Sequence, residues 1–313
     1  MTTKKSLLEE GLQKRLFERI FGHLVTNETA ALDLEIQKGK DAVPAVDIVN
    51  LLGPKKESLL HIAIALACRR TGVDVQMKGQ VQDMAEFLLD KGAKPDIQDV
   101  NGDTALHECA IWGNLTLAKL LMEYGSKPGK GLHRCSKKGK GLHSCTFLRN
   151  CKGFTPLHVS AVYGHVEFTK MLISYMVNVN CFDGEECKKE RTPLHICAEY
   201  GHVKVAELLL SKGAYINSLD ENDHTPLMAA VSAPTEDMVM FLACEKANIW
   251  CKGLDGLTAK GLALQQLRND IVEILAAIEM TQKCEAFLLL KKGHALPHDV
   301  LEMIVCYIRG ATI

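Results

Sequence analysis

The sequence predicts an all-α solenoid: stacked helix–turn–helix units with β-hairpin-like fingers between them and a helical cap at either end. Three observations carry this expectation. Residues 153–183 (GFTPLHVSAVYGHVEFTKMLISYMVNVNCFD) and 191–220 (RTPLHICAEYGHVKVAELLLSKGAYINSLD) are two copies of one unit, each running from Thr-Pro-Leu-His through Tyr-Gly-His to an apolar stretch and a turn. The start of that unit recurs at Ser58, Thr104, Thr155, Thr192, Thr225 and Thr258, at spacings of 46, 51, 37, 33 and 33 residues. A helix pair of this length cannot bury its apolar faces alone, so the copies must stack.

The elements follow in chain order. Ser6-Leu7-Leu8-Glu9 has the form of a capping box, in which hydroxyl and carboxylate each satisfy an orphan backbone N–H. The helix it opens carries Leu8, Leu12, Leu16, Ile20 and Leu24 on one stripe, widened by Phe17 and Phe21. A second helix is expected over about 28–38, stopped by Gly39, a residue suited to the left-handed turn after a helix. Residues 1–56 therefore read as an N-terminal helical cap with the look of a degenerate unit, and 57–277 as the repeats proper. Against a 33-residue frame the first three intervals carry insertions of 13, 18 and 4 residues. The first, near 69–80, falls between the two helices of its unit. Those near 126–150 and 182–190 fall after the second helix, in the turn to the next unit.

Within a unit each position has a physical role. Thr155, Thr192 and Thr225 suit a helix N-cap, and Pro156, Pro193 and Pro226 suit the first helical turn, where a missing N–H costs nothing. Ser160-Ala161, Cys197-Ala198 and Ala230-Val231 are small enough for close packing of the first helix, and Gly164 and Gly201 end it. Leu88-Leu89, Leu120-Leu121, Met171-Leu172 and Leu208-Leu209 form the apolar face of the second helix, with Gly92, Gly125 and Gly213 as its stop.

These residues resemble the ankyrin repeat over about 57–277, most closely in the copies that begin at Thr155 and Thr192. The resemblance implies a stack of helix pairs with projecting fingers, a concave face that binds another protein, and no catalysis. The polar end copies fit capping units. Asn180 and Asn217, each eight residues after a leucine, are similar to ankyrin sites used by an asparaginyl hydroxylase.

Composition narrows the partner. Lys plus Arg (37) nearly balances Asp plus Glu (38), so no global field draws nucleic acid or an anionic membrane. Twelve cysteines, several within apolar helical patterns, fit buried thiols in a reducing, intracellular, cytoplasmic setting. The first residues lack the apolar core of a signal peptide, and no run of about 18 apolar residues occurs, so no membrane span is expected. No Ser–His–Asp or Cys–His constellation stands out, so neither enzymatic activity nor a cofactor is expected.

Trp112, Tyr163 and Tyr200 each precede the Gly or helix end of their unit, which makes them an aromatic ladder on the expected concave face. Such rings combine apolar area with little rotamer entropy. Glu108 and Ile111 lie on the same first helix as Trp112. The finger tips add Asn101, Asp103, Lys152, Phe154, Glu221 and Asp223 as partner-binding candidates. Asp99, Asp183 and Asp220 read as braces within the turns. His61, His107, His158 and His195 recur with the unit and read as hydrogen-bond links between turns.

Two stretches fall outside this scheme. Residues 129–135 (GKGLHRC) and 139–145 (GKGLHSC) duplicate each other, and 126–152 holds eight basic residues and no acidic one. Three readings stand: zinc held by His133, Cys135, His143 and Cys145, despite a spacing unlike the usual Cys-x2-4-Cys; an anionic partner; or a solvated finger without a ligand. At the C-terminus (278–313), Leu296, Pro297, Val300, Leu301 and Ile304 resemble the opening of an F-box helix, as in the PRANC segments of pathogen ankyrin effectors. That resemblance implies docking on a Skp-type ubiquitin-ligase adaptor in a host cytoplasm. A terminal capping helix has the same pattern and is the other reading.

Overall fold

The computed structural model describes residues 15–24, 26, 28–42, 47–69, 75–126, 146–175, 177–183 and 190–291. They divide into two compact units, Met1–Val177 and Asn178–Ile313. The described secondary structure is helical throughout, with one isolated bridge between Leu52 and Ser58.

The first unit opens with α1 (15–24) and α2 (Thr29–Ala42), then a short 3-10 turn at Ile48–Asn50. Leu16, Phe17, Ile20 and Leu24 are buried as the apolar stripe requires, whereas Phe21 lies off it and is exposed. The residues of the expected capping box lie outside those described. Gly39 does not stop α2, which continues through it to Ala42. A Cβ at Gly39 would come within 2.8 Å of Ile48 Cδ1 and 3.0 Å of Leu16 Cδ2, so this glycine lets neighbouring side chains close on the helix.

Three helix pairs follow: α3 (Leu59–Arg69) with α4 (Val75–Asp90), α5 (Ala105–Trp112) with α6 (Leu115–Ser126), and α7 (Pro156–Tyr163) with α8 (Val166–Ser174). The first helices α3, α5 and α7 pack side by side in one row, and α4, α6 and α8 in a second row behind them. Part of the first insertion is not loop, because residues 75–80 extend the N-terminus of α4. Gly125 likewise lies inside α6 and does not end it. Small residues do permit the close stacking, with Cys109, Ala110, Ser160 and Ala161 fully buried between helices and Leu106, Leu121, Leu157 and Leu172 filling the core.

The second unit repeats the plan with α9 (Pro193–Tyr200), α10 (Val203–Ser211), α11 (Pro226–Ala230), α12 (Asp237–Cys244), α13 (Ala259–Gln265) and α14 (Asn269–Lys291). Here α11 packs against both α9 and α13, and α12 against α10 and α14. Cys197, Ala198, Ala230 and Val231 are fully buried at the helix contacts. Helix α14 runs across position 278, where the sequence placed the start of a C-terminal cap.

Helices α5, α7 and α9 begin with the same device, whereas α11 and α13 have Met228 and Gly261 where the histidine would stand. Thr104, Thr155 and Thr192 sit in extended backbone as N-caps, and the histidine three residues on returns to them. The Thr backbone N–H donates to imidazole Nδ1 at 3.1 Å for His107, 3.3 Å for His158 and 3.1 Å for His195. A backbone N–H can only donate, so Nδ1 is the acceptor and the ring proton sits on Nε2. The Ser58–His61 pair reproduces this at 3.3 Å, so the weakest copy in sequence keeps the cap.

Candidate functional site

The fingers that precede the inner helices are built by those imidazoles and by acidic or amide side chains. His61 Nε2 donates to the carbonyl of Asp103 (3.0 Å), His107 Nε2 to that of Phe154 (2.9 Å), and His195 Nε2 to that of His224 (3.0 Å). Each histidine thus caps its own helix and holds the base of the next finger. Burial pushes the pKa of His61, His107 and His195 below its ordinary value, against the weaker pull of the carbonyl bonds, so the rings stay neutral. Neutral rings with both nitrogens committed are connectors, not acids or bases.

Within a finger, one side chain replaces the missing strand partner. Asp99 Oδ1 accepts from the backbone N–H of Asn101 and of Asp103, both at 2.8 Å. Asp220 does the same for Asn222 and His224, also at 2.8 Å. Asn150 takes this place in the third finger, accepting from Lys152 and Phe154 at 3.0 Å. Asp183 braces its turn through the N–H of Arg191 at 2.6 Å and pairs with Arg191 Nε at 3.0 Å. In the first unit adjacent tips are also joined, Val100 N–H donating to Lys55 O (2.9 Å) and Cys151 N–H to Asn101 O (2.8 Å).

This edge forms the wall of a groove of about 380 Å³ in the first unit. Its floor is Ile111 of α5 with Val159, Val162 and Tyr163 of α7, and its wall is Val100, Asn101, Asp103, Asn150, Cys151, Lys152 and Phe154. Six residues singled out in the sequence therefore converge here: Asn101, Asp103, Ile111, Lys152, Phe154 and Tyr163. Two of them also hold structure. Asp103 Oδ1 accepts from Asn150 Nδ2 at 2.8 Å, and the Phe154 ring stacks on His158 with centroids 5.9 Å apart.

Tyr163 has a distinct support. It is 50% exposed, and its ring stacks on that of His165 at 6.2 Å with an interplanar angle of 12°. His165 in turn donates from Nε2 to the carbonyl of Ile111 at 3.0 Å. Gly113 makes room for it, since a Cβ there would lie 2.8 Å from the imidazole. Trp112 ends the neighbouring α5 at the equivalent position and is 46% exposed. Glu108 is half-buried one turn before it.

The remaining candidates lie elsewhere. Tyr200 belongs to the second unit, where it stacks on His202 (6.5 Å, 6°) and is exposed; the finger residues Glu221, exposed, and Asp223, half-buried, belong to the same unit. Asp223 adopts φ 57°, a turn conformation. His133, Cys135, His143 and Cys145 lie outside the described residues, as do Leu296, Pro297, Val300, Leu301 and Ile304. Among the described residues no group of three or more His, Cys, Asp or Glu is gathered for a metal, and no helix is long and apolar enough to cross a membrane. Asn180 spends its amide on a turn, donating to Gly213 O (3.0 Å) and accepting from Tyr215 N–H (2.9 Å). Sequence reasoning missed Val100, Cys151, Val159 and Val162. The two valines lie on one face of α7 at i, i+3, a signal that was readable; Val100 and Cys151 enter only because the finger tips bond to one another.

Comparison with known proteins places this architecture. A family profile described as ankyrin repeats in three copies matches residues 132–220, and one described as ankyrin repeats in many copies matches residues 73–122. The chain is similar to the NF-kappa-B inhibitor cactus of Drosophila melanogaster, 29% identical over an alignment of 203 residues that covers 60% of this chain and 33% of cactus. It spans about a third of that relative's length. Among solved structures it resembles the human ASB11 ankyrin repeat domain (TM-score 0.55, 23% identity, 78% of this chain and 90% of that one). It also resembles the ankyrin repeat domain of Bcl-3, described as a unique member of the IkappaB protein family (TM-score 0.59, 19% identity, 78% and 93%). The chain carries ankyrin repeats, and its fold class is the all-α ankyrin-repeat solenoid.

Proposed function

We propose that this ankyrin-repeat chain is a non-enzymatic protein-interaction module that holds a partner protein in the groove of its first unit. Tyr163 is the observation that carries the reading. Half of it is open to solvent, yet its ring already rests on His165, which is tied to Ile111. A large ring exposed in a fixed pose loses little entropy when covered, which is the property of an interface anchor. Around it the apolar floor and the polar tips Asn101 and Lys152 supply the buried centre and wet rim of a protein contact. The Tyr200–His202 stack, with Glu221 and Asp223 on its fingers, offers a second anchor in the other unit. That cactus is named an inhibitor of NF-kappa-B, and so acts on another protein, agrees with the reading.

Affinity capture from cell lysate tests it, with wild type beside a Trp112→Ala/Tyr163→Ala/Tyr200→Ala variant. Loss of most specific partners is expected, with the circular dichroism spectrum unchanged because all three rings are about half exposed. Equal recovery of every partner by the two proteins would overturn the assignment.

A further inference from the structure

We propose that the segment the first-unit groove accepts is an extended acidic peptide with one apolar anchor residue, an assignment that rests on the groove being the interaction site. The floor sets the anchor. Ile111, Val159, Val162 and Tyr163 present apolar surface in about 380 Å³, within the roughly 300–1,000 Å³ typical of ligand pockets and so ample for one large apolar side chain with its neighbours. The finger edge sets the charge, although of its cations only Lys152 lines the groove itself. Lys55 and Lys56 occupy the first finger tip, Lys152 the third, and Arg149 the strand of chain entering it. Both tips bond to the Val100–Asn101 tip between them. Lys55, Lys56 and Lys152 are exposed, and among the described residues none of the four cations makes an ion pair.

The carboxylates of this edge are differently placed. Asp99 is spent on two backbone N–H groups, Asp103 on Asn150, and Glu57 has a buried Oε2. Cations therefore face the solvent while the acids are turned into the turns. Nor is the bias a property of the repeat as such, because the two later fingers, at 220–224 and 252–257, carry Asp220, Glu221, Asp223 and Asp255 against Lys252. A segment with carboxylates on both sides of a Leu or Phe would meet this edge with complementary charge and its floor with apolar area.

Fluorescence anisotropy with the full chain tests this, using labelled peptides of roughly twelve residues that carry one Phe flanked by Asp and Glu, by Asn and Gln, or by Lys. The acidic peptide is expected to bind at least about tenfold tighter than the Asn/Gln peptide at about 50 mM salt, with the preference shrinking at about 200 mM. Lys56→Glu/Lys152→Glu should cut acidic-peptide binding at least about tenfold, whereas Tyr163→Ala should weaken acidic and neutral peptides alike. Equal binding of acidic and neutral peptides, both weakened by Tyr163→Ala, would overturn the acidic class and leave the groove as the site. Sensitivity to the charge variant but not to Tyr163→Ala would overturn both readings. Tighter binding of anionic lipid vesicles or duplex RNA than of the acidic peptide at equal salt, or no binding of any peptide, would overturn the proposal.

Discussion

At the scale of the residue, one histidine in each of the repeats that begin at Ser58, Thr104 and Thr192 does two jobs. Nδ1 takes the N-cap N–H of its own helix and Nε2 gives its proton to the following finger, so the ring must be neutral to work. The pKa of His61, His107 and His195 is depressed in the fold, so the unfolded chain binds protons first as pH falls. Their contribution is complete above the unfolded value of about 6.5 and is lost as pH drops below it. The urea midpoint is therefore expected to fall between pH 7.5 and 5.5. The His107→Ala variant should be less stable at pH 7.5 by about 1–3 kcal/mol, since its partners are left buried and unpaired. It should also show a smaller further loss on acidification. An equal acid loss in variant and wild type would remove His107 from the titrating set. Local sequence made these histidines conspicuous, but not which carbonyl each would reach.

At the scale of the element, the finger is a turn of five residues in which a side chain stands in for a strand. Asp99, Asn150 and Asp220 supply it, and the tips then meet through backbone hydrogen bonds. Gly102 is where two fingers touch: it adopts φ +73°, and a Cβ would lie 2.8 Å from the Cys151 nitrogen. Gly102→Ala combines left-handed strain with a backbone clash and is expected to destabilise by at least about 2 kcal/mol in urea unfolding. A loss within about 0.5 kcal/mol would mean that the tips part readily and that the wall of the groove is soft. Asp99 and Asp220 were legible as braces from turn chemistry, whereas the bracing role of Asn150 appears only in the structure. Gly39 and Gly125 were misread as helix stops, because the same lack of a Cβ serves a stop, a close approach or a plain helical position, and only the neighbours tell which.

At the scale of the whole molecule, the described chain is two compact stacks in which each helix pair leans on its neighbours. Leu227 is fully buried in α11, which touches α9, α12 and α13. Leu227→Ala should cost about 2–5 kcal/mol and, by hydrogen exchange, expose α9 to α13 more than α3 to α7, because a repeat stack is coupled through nearest neighbours. A uniform rise in exchange over all helices would contradict that coupling. The sequence by itself determined the helix pairs, their caps, the apolar faces and the frame of 33 residues, since each is written in local spacing and turn chemistry. Of the binding surface it determined the aromatics and tip residues one at a time. Only the tertiary structure decided which of them meet. Tyr163 and Ile111 lie 52 positions apart in sequence, and they share a groove because α7 packs on α5 and His165 bridges the two. Contacts of that kind come from stacking between repeats, which no single repeat encodes.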